Sequence, residues 1–208
     1  MKLVLGSDLH GFLPEVPPCD FLVLAGDILP ETEQERFMVT RLQPWLSEVP
    51  ARNIVATGGN HDHKLFKQGN NFERLRWHLL IDKSVVIDGI KFHGTPWCLP
   101  IGRWAWQAPE YVLEKIYGMI PDDVDVLVSH TPPYMILDKA DADSLKNKPS
   151  GHVGSRSLKD RIKKLNNLKL IVCGHIHEAR GREGIVINAS CLDKNYVLRS
   201  NPWMEVKL

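Results

Sequence analysis

Five short apolar runs organise this chain, and each stops at a cluster of Gly, Ser, Asp, Asn or His. They are Leu3-Val4-Leu5, Phe21-Leu22-Val23-Leu24, Asn53-Ile54-Val55-Ala56, Val126-Leu127-Val128 and Leu170-Ile171-Val172. Short β-branched or Leu-rich runs bounded by Gly and Ser predict buried strands. A helix is predicted over 32–49, where Thr32 and Glu35 have capping-box spacing and Phe37, Leu42, Leu46 and Val49 form the apolar face. Pro44 should kink or break it. The return strand ends at Asn60, giving a βαβ-like unit. A short helix is predicted over 72–80, and an amphipathic one over 155–167 with Leu158, Ile162 and Leu165 inward.

The pattern then changes. Val85 to Phe92 has a central Asp88-Gly89, the strongest short hairpin signal. Ile185-Val186-Ile187-Asn188, Tyr196-Val197-Leu198 and Met204-Glu205-Val206 continue in the same strand-like manner. Such runs favour a second sheet over further crossover helices. Two stretches fit no core element: 97–121, with Trp97, Trp104, Trp106 and Tyr111, and the polar 134–154. Long irregular segments in compact domains are often functional, and both begin near a predicted strand end. They are candidate walls of a substrate pocket.

The 208 residues fit one domain, 1–208, large enough to bury a core unaided. With 26 Lys and Arg against 25 Asp and Glu, bulk charge gives no reason to expect a polyanion partner. The local excess over 139–164, eight Lys/Arg against three Asp, reads as a solvated helix face. Cys19, Cys98, Cys173 and Cys191 show no C-x-x-C spacing and read as reduced thiols. The first strand begins at Lys2, which leaves no room for a targeting segment, and no apolar stretch reaches the roughly 20 residues of a membrane span. The expectation is a cytoplasmic protein with no membrane partner. Oligomeric state is left open.

Chemistry collects where the five runs stop, at Ser7-Asp8-Leu9-His10, Gly26-Asp27, Gly59-Asn60-His61-Asp62, Ser129-His130 and Gly174-His175-Ile176-His177. Ligands bind outside the carboxyl ends of strands in open α/β sheets, so five strands deliver Asp, Asn and His to one rim. Singly, each motif is weak, since an Asp after a strand is often a turn or cap residue. Together they read as one metal site, with Asp8, His10, Asp27, Asn60, His130, His175 and His177 as candidate ligands. Imidazole, carboxylate and amide donors without thiolate suit Mn, Fe, Zn or Co. In extended backbone, residues two apart point the same way, which would turn both His175 and His177 inward.

In this order the motifs resemble those of the calcineurin-like metallophosphoesterase superfamily: D-x-H, G-D, G-N-H-[DE], H and G-H-x-H. The resemblance covers most of the chain. It implies a four-layer α/β/β/α fold, a two-sheet β-sandwich flanked by helices. It also implies two metal ions about 4 Å apart that acidify a bridging water and neutralise the phosphoryl oxygens. One ion would take Asp8, His10 and His177, the second Asn60, His130 and His175, and Asp27 would bridge. His61 would protonate the departing oxygen, with Asp62 holding it in position. Trp97 and His152 are candidate substrate contacts, although ordinary packing is the stronger reading of Trp97. His63, His78 and His93 read as surface or half-buried, and Trp45, Trp77 and Trp203 as packing residues.

Further motifs resemble one branch, the small metallophosphoesterase-domain proteins related to class III cyclic nucleotide phosphodiesterases. They are Gly94-Thr95-Pro96-Trp97, His130-Thr131-Pro132-Pro133, Gly151-His152-Val153-Gly154, Gly174-His175-Ile176-His177-Glu178 and Ile187-Asn188-Ala189-Ser190. That implies a phosphodiesterase acting on small-molecule diesters, including 2′,3′-cyclic nucleotides. Serine/threonine phosphatases of the superfamily carry arginines beside the metal motifs, and the matching positions here hold none; Arg103, Arg156 or Arg180 could substitute from a loop. The alternatives are a phosphomonoesterase or a nuclease on the same metals, or an idle binding protein on this fold. Near-neutral charge argues against nucleic acid as partner, and the complete ligand set argues against an idle fold.

Overall fold

The structure, a computed structural model, describes residues 1–68, 75–142 and 151–208. Two mixed sheets pack face to face. In the first, β1 (Lys2–Gly6), β2 (Cys19–Ala25), β3 (Ala51–Thr57) and β4 (His78–Leu79) run parallel in that order. In the second, β5 (Lys83–Ile87), β6 (Ile90–Thr95), β7 (Val126–Ser129), β10 (Leu170–Cys173), β12 (Val186–Asn188) and β11 (Gly181–Glu183) follow one another across the sheet. Its four central strands are parallel, and its two edges are antiparallel. A short hairpin, β8 (Lys139–Ala140) with β9 (Gly151–His152), stands apart.

Side-chain alternation explains why the strand runs are apolar throughout. Leu3, Leu5, Phe21 and Val23 meet Phe92, Val128 and Val172 between the sheets. Their neighbours Val4, Leu22, Leu24 and Ile54 turn outward onto Met38, Leu42 and Leu46. On the far side Leu127, Ile171 and Cys173 meet Leu113, Tyr117 and Leu158. Both faces of both sheets are therefore covered, as mostly parallel sheets require. The layers are helix, sheet, sheet, helix, the sandwich that the resemblance implied.

The helices depart from expectation in detail. Residues 34–48 are helical, but as α1 (Gln34–Phe37), a π-helical turn (Met38–Leu42) and α2 (Gln43–Glu48). Thr32 forms no cap; Glu33, in a left-handed conformation, precedes α1 instead. Pro44 sits in the first turn of α2, where a missing N–H costs least. The helix predicted over 72–80 is not seen at 78–79, which pair as β4 with Val55 and Ala56; its start lies outside the described residues. Edge pairing there overrides local propensity. α3 (His63–Gln68) follows the Asn60 loop.

Asp88 and Gly89 both have positive φ and join β5 to β6, as the Asp-Gly signal predicts. The second half of 97–121 is not irregular: α4 (Glu110–Gly118) buries Leu113 and Tyr117. α5 (Arg156–Ile162) is capped by Ser155, and the Glu110 carboxylate takes bonds from the Arg156 and Ser157 amides, tying α4 to α5. The last strand, β13 (Met204–Lys207), pairs with β1 in the first sheet rather than joining the second. Residues 196–198 form no strand; the Asp193 carboxylate folds them into a loop by accepting the Asn195 and Val197 amides.

Trp45 and Trp203 stack at 6.4 Å and Trp77 is buried, so all three are packing residues. The four cysteines are free and buried. Among the described residues, no helix is long and apolar enough to cross a membrane. His78 is exposed and His63 half-buried, but His93 is fully buried, against the sequence reading, with Nδ1 2.8 Å from the Ser84 hydroxyl.

Burial lowers the His93 pKa from 6.5 to about 4. The unfolded chain therefore binds a proton between these values that the folded chain refuses. Stability should fall as pH drops from 6.5 towards 4, by about 3 kcal/mol at most. Urea unfolding of wild type and His93→Gln at several pH values checks this. The variant should lose that part of the slope.

Candidate metal centre

The carboxyl ends of β1, β2, β3, β7 and β10 converge at one end of the two sheets. Asp8, Asp27, Asn60 and His130 are all buried there, and His10 and His61 are half-buried. Three overlapping groups have their ligand atoms within 4.8 Å of one another: Asp8, His10 and His177; His10, Asp27 and His61; Asp8, Asp27 and His130. Asn60 joins through its side-chain oxygen, 3.0 Å from His130 Nε2, and His175 lies with its ring 4.9 Å from that of His130. All seven candidate ligands thus meet at one rim, with His61 beside them.

Their orientation fits cations. Two donors bonded at about 2.1 Å to one ion lie roughly 3.0–3.7 Å apart. His10 Nε2 and His130 Nε2 stand 3.7 and 3.4 Å from Asp27 Oδ2, and His177 Nε2 stands 3.6 Å from Asp8 Oδ1. His10 Nε2 is buried with no hydrogen-bond partner among the described residues. His130 Nδ1 lies 2.9 Å from the Ala25 carbonyl and His177 Nδ1 3.1 Å from that of Asp193. Those carbonyls can accept only an N–H, which puts a proton on each Nδ1 and turns each Nε2 towards the centre, where a cation can take the place of its proton.

Asp27 holds its place by an asymmetric arrangement. Oδ1 accepts the His61 amide at 2.7 Å, so only Oδ2 faces both His10 and His130. A bridge through this residue would use that one oxygen. A side chain at Gly59 would collide with the Asp27 carboxylate, so glycine there permits the close approach of the Asn60 loop. Asp8 accepts the His175 amide and the Ser190 hydroxyl, at 3.0 and 2.5 Å, on Oδ2. Asp8, His10, Asp27 and His175 all have positive φ. Non-glycine residues adopt that region at a cost, and such strain clusters at functional sites.

Charge follows the same logic. Burial disfavours the Asp8 and Asp27 carboxylates, yet His177 and His130 respectively hold them well below the usual carboxylate range. Burial pushes His10 to about 4 and His175 to about 3, so both are neutral donors at pH 7. Burial also opposes charge on His130, but Asp27 outweighs it and raises that imidazole to about 9. A cation taking the place of that proton would satisfy the same carboxylate.

Two sequence expectations are corrected, for the His175-His177 backbone and for Asp62, and the places of Trp97 and His152 become clear. His175 and His177 do not lie on extended strand: His175 is left-handed and His177 opens a 3-10 turn. Asp62 does not hold the His61 ring; its carboxylate accepts the Leu29 and Gly59 amides and fastens two ligand loops together. Burial raises the Asp62 pKa to about 7. Trp97 donates its indole N–H to Asp82 at 2.7 Å and packs between two core clusters. His152 is bonded through Nδ1 to the buried Asp138 at 2.6 Å, on the short hairpin.

Two aromatic rings stand beside the site: Trp104, from the stretch offered as a candidate pocket wall, and Tyr196, which the sequence placed in a strand-like run. Trp104 lies 4.0 Å from the His61 ring, and the exposed Tyr196 lies 5.0 and 4.9 Å from His10 and His177. Their loops carry no periodic signal. Ser190 and Asn188, within a motif quoted above, prove to support Asp8: Asn188 Oδ1 accepts the Ser190 hydroxyl.

The profile of calcineurin-like phosphoesterases matches residues 4–179. Human metallophosphoesterase domain-containing protein 1 is 28% identical over 232 residues, covering 94% of this chain and 67% of that protein. An uncharacterized protein of Methanocaldococcus jannaschii is 32% identical over 213 residues, 93% of this chain and 84% of its own. A probable rhamnogalacturonate lyase C of Emericella nidulans is 29% identical over 197 residues; these cover 88% of this chain but only 18% of that protein.

Metal binding should be visible as stability. Ligand at a hundred times its Kd adds about 2.7 kcal/mol, so Mn²⁺ added to chelator-treated protein should raise the unfolding midpoint. Asp27→Ala should lose most of that gain. An equal gain in the variant would mean that the ions bind elsewhere.

Proposed function

Since the chain belongs to the calcineurin-like phosphoesterase family, we propose that it is a phosphodiesterase acting on small diesters, with 2′,3′-cyclic nucleotides among them. The observation that carries this reading is the state of Arg156, Arg180 and Arg199; the remaining loop candidate, Arg103, is exposed. Arg180 gives its guanidinium to the carbonyls of Ser190, Pro202, Asn201 and Trp203. Arg156 lies over the Tyr134 ring, and Arg199 donates to the His177 and Leu192 carbonyls. Gly26, Ile28, Gly59 and His61 flank Asp27 and Asn60. A monoester dianion would need cations that these residues do not offer, whereas a diester carries a single charge.

Family members use dinuclear metal centres. Asp8, His10 and His177 would hold one ion and Asn60, His130 and His175 the other, with Asp27 Oδ2 facing both sets; Mn, Fe or Zn suits these donors. Bound ions would supply the activated water and neutralise the phosphoryl oxygens. The chain's own part is to orient the imidazoles through the Ala25 and Asp193 carbonyls and to hold a proton on His61 for the departing oxygen. Burial lowers the His61 pKa, and an anionic diester beside it works in the opposite direction. Four unpaired thiols support a cytoplasmic site of action.

With one metal, kcat/KM for bis-p-nitrophenyl phosphate should exceed that for p-nitrophenyl phosphate. A large preference for the monoester would reject the diester reading and point to a phosphatase. His61→Ala should keep its metals and lose about 10²–10⁴-fold on a ribose leaving group, but clearly less on p-nitrophenolate. Equal losses, or loss of a metal, would give His61 another role.

A further inference from the structure

We propose that Trp104 is the shelf on which the nucleobase or aryl ring of the leaving group stacks. The proposal rests on the reading of His61 as the residue beside the departing oxygen. Whatever is attached to that oxygen then lies next to His61, and the neighbour there is Trp104, at 4.0 Å between ring centroids. His63 extends the shelf, 5.6 Å from Trp104 with the planes 27° apart. All three rings are half-buried, so each keeps exposed surface. Beyond His63 lies an open groove of about 740 Å³ between α1 and α3, lined also by Glu31, Gln34, Lys64 and Lys67.

The loop is built to present this ring. Immediately after Trp104, the Ala105 amide donates to the Asn60 carbonyl at 3.0 Å. Trp106, buried and with φ 40°, packs against Gly58, where any side chain would collide with its ring. The Cys98 amide closes the loop onto the Trp106 carbonyl at 2.9 Å. Trp104 is thus fixed through the backbone of a candidate metal ligand, and its register over His61 does not depend on a free loop. Trp97, tied to Asp82, is not available for the same purpose. Stacking on an aromatic face tolerates any base, which suits a broad range of nucleotide diesters.

The test compares 2′,3′-cyclic AMP with ethylene phosphate, a five-membered cyclic diester without a base, in Mn²⁺-loaded wild type, Trp104→Leu and Trp104→Phe. Thermal unfolding checks that each variant is folded. Trp104→Leu should lower kcat/KM about 10- to 100-fold more on the nucleotide than on ethylene phosphate, and Trp104→Phe should restore most of the difference. Equal losses on both would make Trp104 only a support for His61 and overturn the proposal. Calorimetric binding of 3′-AMP and inorganic phosphate separates the two levels of the argument. A preference for 3′-AMP that disappears in Trp104→Leu supports the shelf even if neither diester is turned over, and the phosphodiesterase reading alone then fails. No preference in wild type, or one unchanged in the variant, overturns the shelf.

Discussion

Two carboxylates, Asp8 and Asp27, are buried at the point where the ends of two sheets meet. Desolvating an ionised carboxylate costs several kcal/mol unless partners repay it. Here the partners are backbone amides from the Asn60 and His175 loops and imidazoles delivered by other strands. Every motif at the rim is thereby tied to one of these two charges. Asp27 takes the His61 amide and faces His10 and His130; Asp8 takes the His175 amide and faces His177. Among the described residues the arrangement is incomplete, since His10 Nε2 is buried without a hydrogen-bond partner. A cation held by the carboxylates and the imidazoles would complete it, because it would serve negative oxygens and neutral nitrogens together.

The fold meets this requirement through mostly parallel strands. Parallel neighbours end on the same side, so β1, β2 and β3 in one sheet and β7 and β10 in the other present their following loops at one end. The inter-sheet core of Leu3, Phe21, Phe92 and Val172 holds the two sets of loops at a fixed separation. Asp62 then locks the loops after β2 and β3 by accepting an amide from each. This rigid scaffold tolerates left-handed backbone at four of the candidate ligands.

What was legible in the sequence was what a short window contains. The five strand runs that lead to the rim, the Asp88-Gly89 turn, the Ser155 helix start and the five rim motifs each carry a local signal, and these appear where expected. What failed depended on distant partners. Residues 78–79 became strand because Val55 and Ala56 offered an edge, and β13 joined β1 because that edge was open to it. Asp62 looked like a partner for its neighbour His61, but Leu29, 33 positions earlier in the chain, claims it. His175 and His177 looked extended, yet the Asp8 carboxylate draws the His175 amide into a turn. Trp104 was legible only as part of a candidate pocket wall, and Tyr196 only as part of a strand-like run, because irregular loops bring both rings to the site.

The central claim is that two ions share Asp27. Crystals grown with Mn²⁺ and measured across its absorption edge test it directly. The account predicts two anomalous peaks about 4 Å apart, both within bonding distance of Asp27 Oδ2. One should be completed by Asp8, His10 and His177, the other by Asn60, His130 and His175. A single peak, or a pair to which Asp27 is not a common ligand, would contradict it.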